Sequence, residues 1–176
     1  LNHNDHVNLL RPGISQSGGT WADFGSGSGA FTLALRELVG ADAQIFSIDK
    51  DGARLREQER AFREMFPASR VQFLRADFTH ALSLPPLDGI VMANALHFFK
   101  NKIEVLEHVR ACLKSRGVLL LVEYNVDKGN LWVPHPLSFE TFRALAPRAG
   151  FDTPRLLATA PSRFLNEFFS ARAARP

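Results

Sequence analysis

Short apolar runs alternate with longer stretches of helical period along this 176-residue chain. Runs rich in β-branched and aromatic residues fall at 20–24, 43–48, 71–74, 89–93 and 118–122, each bounded by Gly, Asp, Asn or Pro, and predict five strands. Several are apolar on both faces, as suits a parallel sheet covered on two sides. Between them, Phe31, Leu35 and Leu38 are spaced four and three apart, and Gly40 follows as a C-terminal cap. Residues 51–65 place Leu55, Phe62 and Met65 along one side of a helix, with Glu59 and Arg63 as an i,i+4 pair on another. Ile103, Leu106, Val109 and Leu113 make a third stripe, and residues 138–149 read as a fourth helix opened by Ser138.

Strand, helix and strand in this order imply right-handed crossovers and an α/β, doubly wound sheet. The rhythm changes after Gly150. Residues 155–160 and 163–171 are strand-like and separated only by Pro161 and Ser162, a gap too short for a helix and right for an antiparallel hairpin. Residues 20–176 are therefore expected to form one domain, with residues 1–19 as an edge segment or a lid across a cleft.

Composition narrows the class. With 45% apolar and 22% charged residues the chain can bury one core, which excludes a disordered tail or a collagen-like rod. The net charge of +3 is too small to hold a nucleic-acid backbone by itself. It divides as −2 over residues 1–99 and +5 over 100–176, which reads as a solvated basic face or as a site for an acidic substrate or partner. Cys112 is the only cysteine, so neither an internal disulfide nor a multi-cysteine zinc site can form, and a cytoplasmic setting is expected. No apolar stretch reaches the ~20 residues needed to cross a bilayer. The start, Leu1-Asn2-His3-Asn4-Asp5, lacks the zones of a signal peptide and has no initiating Met, as a fragment or processed chain would.

The most informative segment is Asp23-Phe24-Gly25-Ser26-Gly27-Ser28-Gly29-Ala30, where a strand ends and a helix begins. Gly25 can take the tight turn, Gly27 lets a ligand approach the backbone, and Gly29 lets the helix start against the sheet. Asp49 closes the second strand, where an open sheet puts a carboxylate able to accept both hydroxyls of a ribose; a helix cap or surface ion pair is the plainer use of such a residue. Gly25, Gly27 and Ala30 also satisfy Gly-x-Gly-x-x-Ala, so an NAD site is an alternative at this point.

Taken with Ser47-Ile48-Asp49, Arg75-Ala76-Asp77-Phe78 and Asp88-Gly89-Ile90-Val91-Met92-Ala93-Asn94, this loop resembles motifs I to IV of the class I S-adenosylmethionine-dependent methyltransferases. The resemblance spans about residues 20–173 and implies a Rossmann-like, mostly parallel seven-stranded sheet whose antiparallel seventh strand lies beside the fifth. It implies S-adenosylmethionine as cofactor and S-adenosylhomocysteine as product. It puts Asp23 near the amino-acid end of the cofactor and Gly25, Ser26, Gly27 and Gly29 beneath it. Asp49, with Lys50 beside it, would hold the ribose, and Asp77 and Phe78 would meet the adenine. The exocyclic amine of adenine is a donor that Asp77 can accept, and the Phe78 N–H suits a ring nitrogen. A cap for the turn at 79–82 is the other use of Asp77.

The reacting centre belongs beyond the carboxyl ends of the fourth and fifth strands, where Asn94, Ala95, Leu96 and His97 follow one and Glu123, Tyr124 and Asn125 the other. In the resembled family the fourth-strand segment, here with Asn94, faces both donor and acceptor. It does not read Asn-Pro-Pro-Tyr or Asp-Pro-Pro-Tyr, which disfavours methylation of nucleic-acid bases. Methyl transfer from a sulfonium is an in-line displacement, so a base is needed only when the acceptor must lose a proton. His97 is the candidate base, unless it is a polar residue at the lip of the site. Glu123 could bind a cationic acceptor or pair with a Lys or Arg. His3, His6 and His135 do not complete a metal set, and no metal is expected. Leu131, Trp132 and Val133, in a loop over 128–136, are expected to be exposed as a second lid or as a homodimer contact. Phe164, Phe168 and Phe169 read as core or interface residues of the hairpin.

The expected function is methyl transfer to a small-molecule acceptor, with nucleic acid and membrane disfavoured as partners. Two alternatives stay open. One is an NAD-dependent oxidoreductase, for which Tyr124 and Lys128 match Tyr-x-x-x-Lys but fall outside any predicted helix. The other is a non-catalytic S-adenosylmethionine-binding subunit.

Overall fold

Five strands, β1 (Thr20–Phe24), β2 (Gln44–Asp49), β3 (Arg70–Arg75), β4 (Leu87–Ala93) and β5 (Leu113–Tyr124), pair in parallel, in a computed structural model that describes all 176 residues. Two more, β6 (Arg155–Pro161) and β7 (Glu167–Ala174), close the sheet antiparallel, giving the order β3-β2-β1-β4-β5-β7-β6. The expected doubly wound sheet is therefore present, with β7 inserted between β5 and β6. Strands are added first to one side of β1 and then to the other, so the connections that leave the carboxyl ends of β1 and β4 part to opposite sides of the sheet, where a crevice opens.

Alternation along the strands divides the core. Ala22, Phe24, Phe46 and Ile48 face one side, together with Leu106 and Val109 of α4 (Lys102–Cys112) and Phe142 and Ala146 of α5 (Phe139–Arg148). Trp21, Ile45, Val91 and Leu120 face the other, under Leu35 and Val39 of α2 (Ala30–Val39). Ser138 caps α5 by accepting from the Thr141 N–H, as its position predicts. On α3 (Gly52–Met65), Glu59 and Arg63 pair at 2.7 Å and Leu55 and Phe62 are buried. Met65 is exposed, contrary to expectation. The chain leaves the helix one residue later, and Phe66 instead packs against Phe62 and under Arg36.

Two further local expectations are corrected, in the hairpin and in the loop after β5, and the segment expected at an edge or as a lid takes a defined form. The start of the chain is a helix, α1 (His3–Leu10), held by a capping box in which Asn2 accepts from the Asp5 N–H and Asp5 accepts from the Asn2 N–H. It buries Val7, Leu9 and Leu10 against the α2 face, and no residue of 1–19 lines the cleft described below. The hairpin connection is not the two residues Pro161 and Ser162 but residues 162–166. Ser162 accepts from the N–H groups of Phe164 and Leu165, and Asn166 takes φ 59° to turn the chain, so β7 starts at Glu167. In the loop after β5, Leu131 and Trp132 are exposed as expected but Val133 is buried.

Candidate functional site

A cleft of about 460 Å³ opens at the carboxyl ends of β1, β2, β3 and β4. Gly25, Gly27, Asp49, Lys50, Asp77, Phe78 and Asn94 line it, so seven of the ten residues predicted to hold a cofactor come together. Asp51, Arg54, Phe98 and Phe99 complete its rim. A cavity of similar size, about 510 Å³, lies at the opposite end of the strands, where β4 and β5 begin, between Leu84, His108, Lys114 and Arg175, and takes none of the predicted residues.

The glycine loop is flush against the floor of the cleft. Gly25 has φ 76°, and a Cβ there would stand 2.8 Å from Ala95 Cβ and 3.3 Å from the Phe78 ring. Only glycine combines that backbone with that approach. Asp49 fixes the loop by accepting from the Gly27 N–H through Oδ2 and from the Asp51 N–H through Oδ1, both at 2.8 Å. A carboxylate has about four acceptor positions, so two lone pairs stay free for hydroxyls in the cleft. Asp51, not Asp49, is the N-cap of α3.

Asp77 caps the turn after β3, accepting through Oδ1 from the N–H and hydroxyl of Thr79. Both uses foreseen for Asp77 are compatible, because its other oxygen meets only His80 at 3.9 Å. The Thr79 bonds hold its carboxyl below the usual range. The Phe78 ring is buried, stacked on Phe24 at 5.5 Å and edge-on to Phe99 at 5.6 Å, while its backbone N–H donates to no protein acceptor. Asn94 adopts φ 52°, and its amide oxygen is buried with no partner. Buried acceptors are seldom left orphaned.

Ser26, Gly29 and Asp23 stand behind the loop rather than in the cleft. Gly29 is the left-handed N-cap residue of α2. The Ser26 hydroxyl accepts from Gln58 Nε2 at 3.3 Å, and the same amide group donates to the Gly27 carbonyl. Gln58 Oε1 accepts from Ser47 at 2.6 Å; Ser47 lies 3.3 Å from the Thr32 hydroxyl, which donates to Asp23 Oδ2 at 2.6 Å. A buried polar chain thus runs from the end of β1 to the glycine loop. Burial pushes the Asp23 carboxyl up to about 7; the Thr32 bond opposes the rise and the nearby Asp49 charge adds to it. Sequence reasoning missed Gln58, although its position between Leu55 and Phe62 on the apolar stripe of α3 was a signal. Arg54, on the rim, carried no such signal.

His97 and Glu123 form one buried unit. Glu123 is wholly enclosed and accepts from the N–H groups of Leu96 and His97 and from His97 Nδ1, the last at 2.7 Å. Neither use expected for Glu123 is met: its partner is a histidine and not a Lys or Arg, and its carboxylate is too deep to touch a cationic acceptor directly. Lys102, whose charge Glu123 helps to hold against the lowering caused by burial, donates to the Phe99 carbonyl. A carboxylate only accepts, so Nδ1 of His97 donates to it, and Nε2 has no protein partner. His97 itself is 3% exposed and does not line the cleft, whereas Phe98, the next residue, does. Lys128 lies in the irregular loop after β5 and not on a helix with Tyr124, so the Tyr-x-x-x-Lys spacing has no helical frame.

No helix is long and apolar enough to cross a membrane. A family model for the methyltransferase domain matches residues 22–119, more than half of the chain. Curated proteins give no match. Among solved structures, a S-adenosylmethionine-dependent methyltransferase from Aquifex aeolicus is 18% identical with a TM-score of 0.74, covering 100% of both chains. Magnesium protoporphyrin IX methyltransferase from Synechocystis, solved with bound S-adenosylmethionine, is 16% identical with a TM-score of 0.74, over 99% of this chain and 78% of that one. A phosphoethanolamine N-methyltransferase of Haemonchus contortus is 16% identical with a TM-score of 0.78, over 98% of this chain and 52% of the other. At these identities the likeness is one of fold. Together with the family match it makes the assignment: this chain belongs to the class I S-adenosylmethionine-dependent methyltransferase family.

Proposed function

We propose that this protein moves a methyl group from S-adenosylmethionine to a small-molecule acceptor by in-line displacement. The observation that carries the reading is the convergence, in one cleft, of unfilled hydrogen-bond capacity suited to an adenosyl compound: the free lone pairs of Asp49, the unpaired Phe78 N–H and the orphaned Asn94 oxygen. When bound, the cofactor supplies an electrophilic methyl on a positively charged sulfur.

The chain's own residues bind, orient and exclude water. Asp49 would accept from the ribose hydroxyls, Asp77 and Phe78 would take the two edges of the adenine, and Gly25 and Gly27 would let it lie against backbone. Phe98 and Phe99 shield the rim, which supports desolvation of the reacting atoms. His97 is the proposed general base at Nε2 for an acceptor that carries a proton, with Glu123 holding its tautomer and balancing the imidazolium charge. The single Cys112 supports a cytoplasmic setting.

Calorimetry with S-adenosylmethionine, S-adenosylhomocysteine and NAD tests the cofactor. Binding of the first two and not of NAD is expected, and binding of NAD alone would overturn the proposal. Transfer of labelled methyl to a pool of small metabolites then distinguishes an enzyme from a subunit that only holds the cofactor.

A further inference from the structure

Of the 21 Lys and Arg in the chain, Lys102 alone is buried, at 8% exposure. Physical costs attend that place. An ammonium taken out of water loses solvation that an apolar side chain never had. Lys102 is also the first residue of α4, so its charge stands at the positive end of the helix dipole. No carboxylate touches it, and its one hydrogen bond goes to the Phe99 carbonyl, at 2.9 Å. A methionine of similar length would fill the space without these costs, so the charge itself needs a physical account.

That account lies across a short stretch of backbone. Glu123, wholly enclosed, ties down the start of 95–99 by accepting from the Leu96 and His97 N–H groups, and Lys102 ties down its end at the Phe99 carbonyl. The His135 N–H holds the middle through the His97 carbonyl, at 3.0 Å. Ala95, Phe98 and Phe99 of this stretch line one wall of the cleft. The wall bears on two parts of the site: a Cβ on Gly25 would strike Ala95, and the Phe99 ring stands edge-on to Phe78. Glu123 and Lys102 do not touch, yet their opposite charges, both out of water, attract across the stretch they hold, and Glu123 favours the charged form of Lys102.

Resting on the reading of this cleft as the cofactor site, we infer that Lys102 is a positioning residue that pairs at a distance with Glu123, the two buried charges clamping the 95–99 wall where the cofactor packs. Lys102 acts through Phe99 and touches neither cofactor nor acceptor. Removing one charge of such a pair strands the other, whereas removing both does less harm. That asymmetry separates a clamp from a side chain that only fills space, for which the effects of two substitutions would simply add.

The test is a double-substitution cycle read by calorimetry of S-adenosylhomocysteine. Lys102→Met loses the Phe99 bond and strands the Glu123 charge, and should weaken binding about tenfold. Glu123→Gln should stay near the parent protein, because the amide oxygen still accepts and even an uncharged amine still donates. With both substitutions together, affinity should recover about threefold over Lys102→Met. Parent-level affinity in Lys102→Met, or a double variant no better than Lys102→Met, would overturn the inference. Urea unfolding reads the same coupling without a ligand, so a parent protein that fails to bind S-adenosylhomocysteine would defeat the cofactor reading while the clamp is judged on stability. If Lys102→Met alone does not fold, a double variant that folds supports the clamp, and one that does not fold overturns it.

Discussion

Asp49 holds Gly27: the carboxylate that ends β2 accepts the N–H of the glycine loop at 2.8 Å and so sets the loop's height above the sheet. The same carboxylate is the one proposed for the ribose. Asp49→Ala therefore removes an acceptor and a loop anchor together and should weaken S-adenosylhomocysteine by about 1–3 kcal/mol. Asp49→Asn keeps one acceptor oxygen and should lose less. Calorimetry decides this, and unchanged affinity in Asp49→Ala would count against the assigned role.

Gln58 braces the loop from behind. Gln58→Leu leaves the Ser47 hydroxyl and the Gly27 carbonyl without their partner in a buried place, which should cost about 1–3 kcal/mol of stability. Urea unfolding measures the loss. Cofactor affinity should fall as well, since the Gly27 carbonyl is freed, and a stable variant with full affinity would refute the bracing role.

Asp23 makes folding stability depend on pH in a set window. Its ordinary pKa of 3.8 is pushed up to about 7 in the folded protein, so its contribution is fully present below pH 3.8 and is lost as pH rises through 7. The effect is of order 4 kcal/mol. Asp23→Asn cannot titrate but can still accept from Thr32. The variant should gain on the parent protein between pH 4 and 7, with a constant difference above that. Parallel stability curves across the window would show that Asp23 does not titrate there.

Glu123 fixes the tautomer of His97. In Glu123→Gln the amide N–H can donate to Nδ1, which moves the imidazole proton to Nε2 and removes the base. Methyl transfer to a hydroxyl acceptor should fall by about 10²-fold or more, with S-adenosylhomocysteine binding retained. A variant with full turnover would mean that the pair serves packing alone.

Gly25→Ala tests the close approach of the loop. The added methyl has no room against Ala95 and would occupy a backbone conformation that disfavours it, so cofactor binding should drop with little access left to the cleft floor. Binding at the parent level would show that the loop can shift.

The amino-acid sequence by itself determined the order of strands and helices, the parallel sheet with its antiparallel close, and the glycine loop with Asp49 and Asp77 at the strand ends. These follow from short-range rules, since periodicity, caps and turn residues act over a few positions. The N-terminal helix has its own local signal in Asn2 and Asp5, but it is eight residues long and its buried residues, Val7, Leu9 and Leu10, all fall in its second half, too few to mark a helical period. What tertiary structure decided is which polar groups meet. Ser26 turned out to face Gln58 rather than the cleft, and Glu123 found His97, 26 residues earlier in the chain, rather than a basic side chain. Phe164 became a neighbour of Tyr124 because β7 pairs antiparallel with β5. Such pairings depend on the register of strands far apart in the chain and on the burial that register creates, and no local pattern records either.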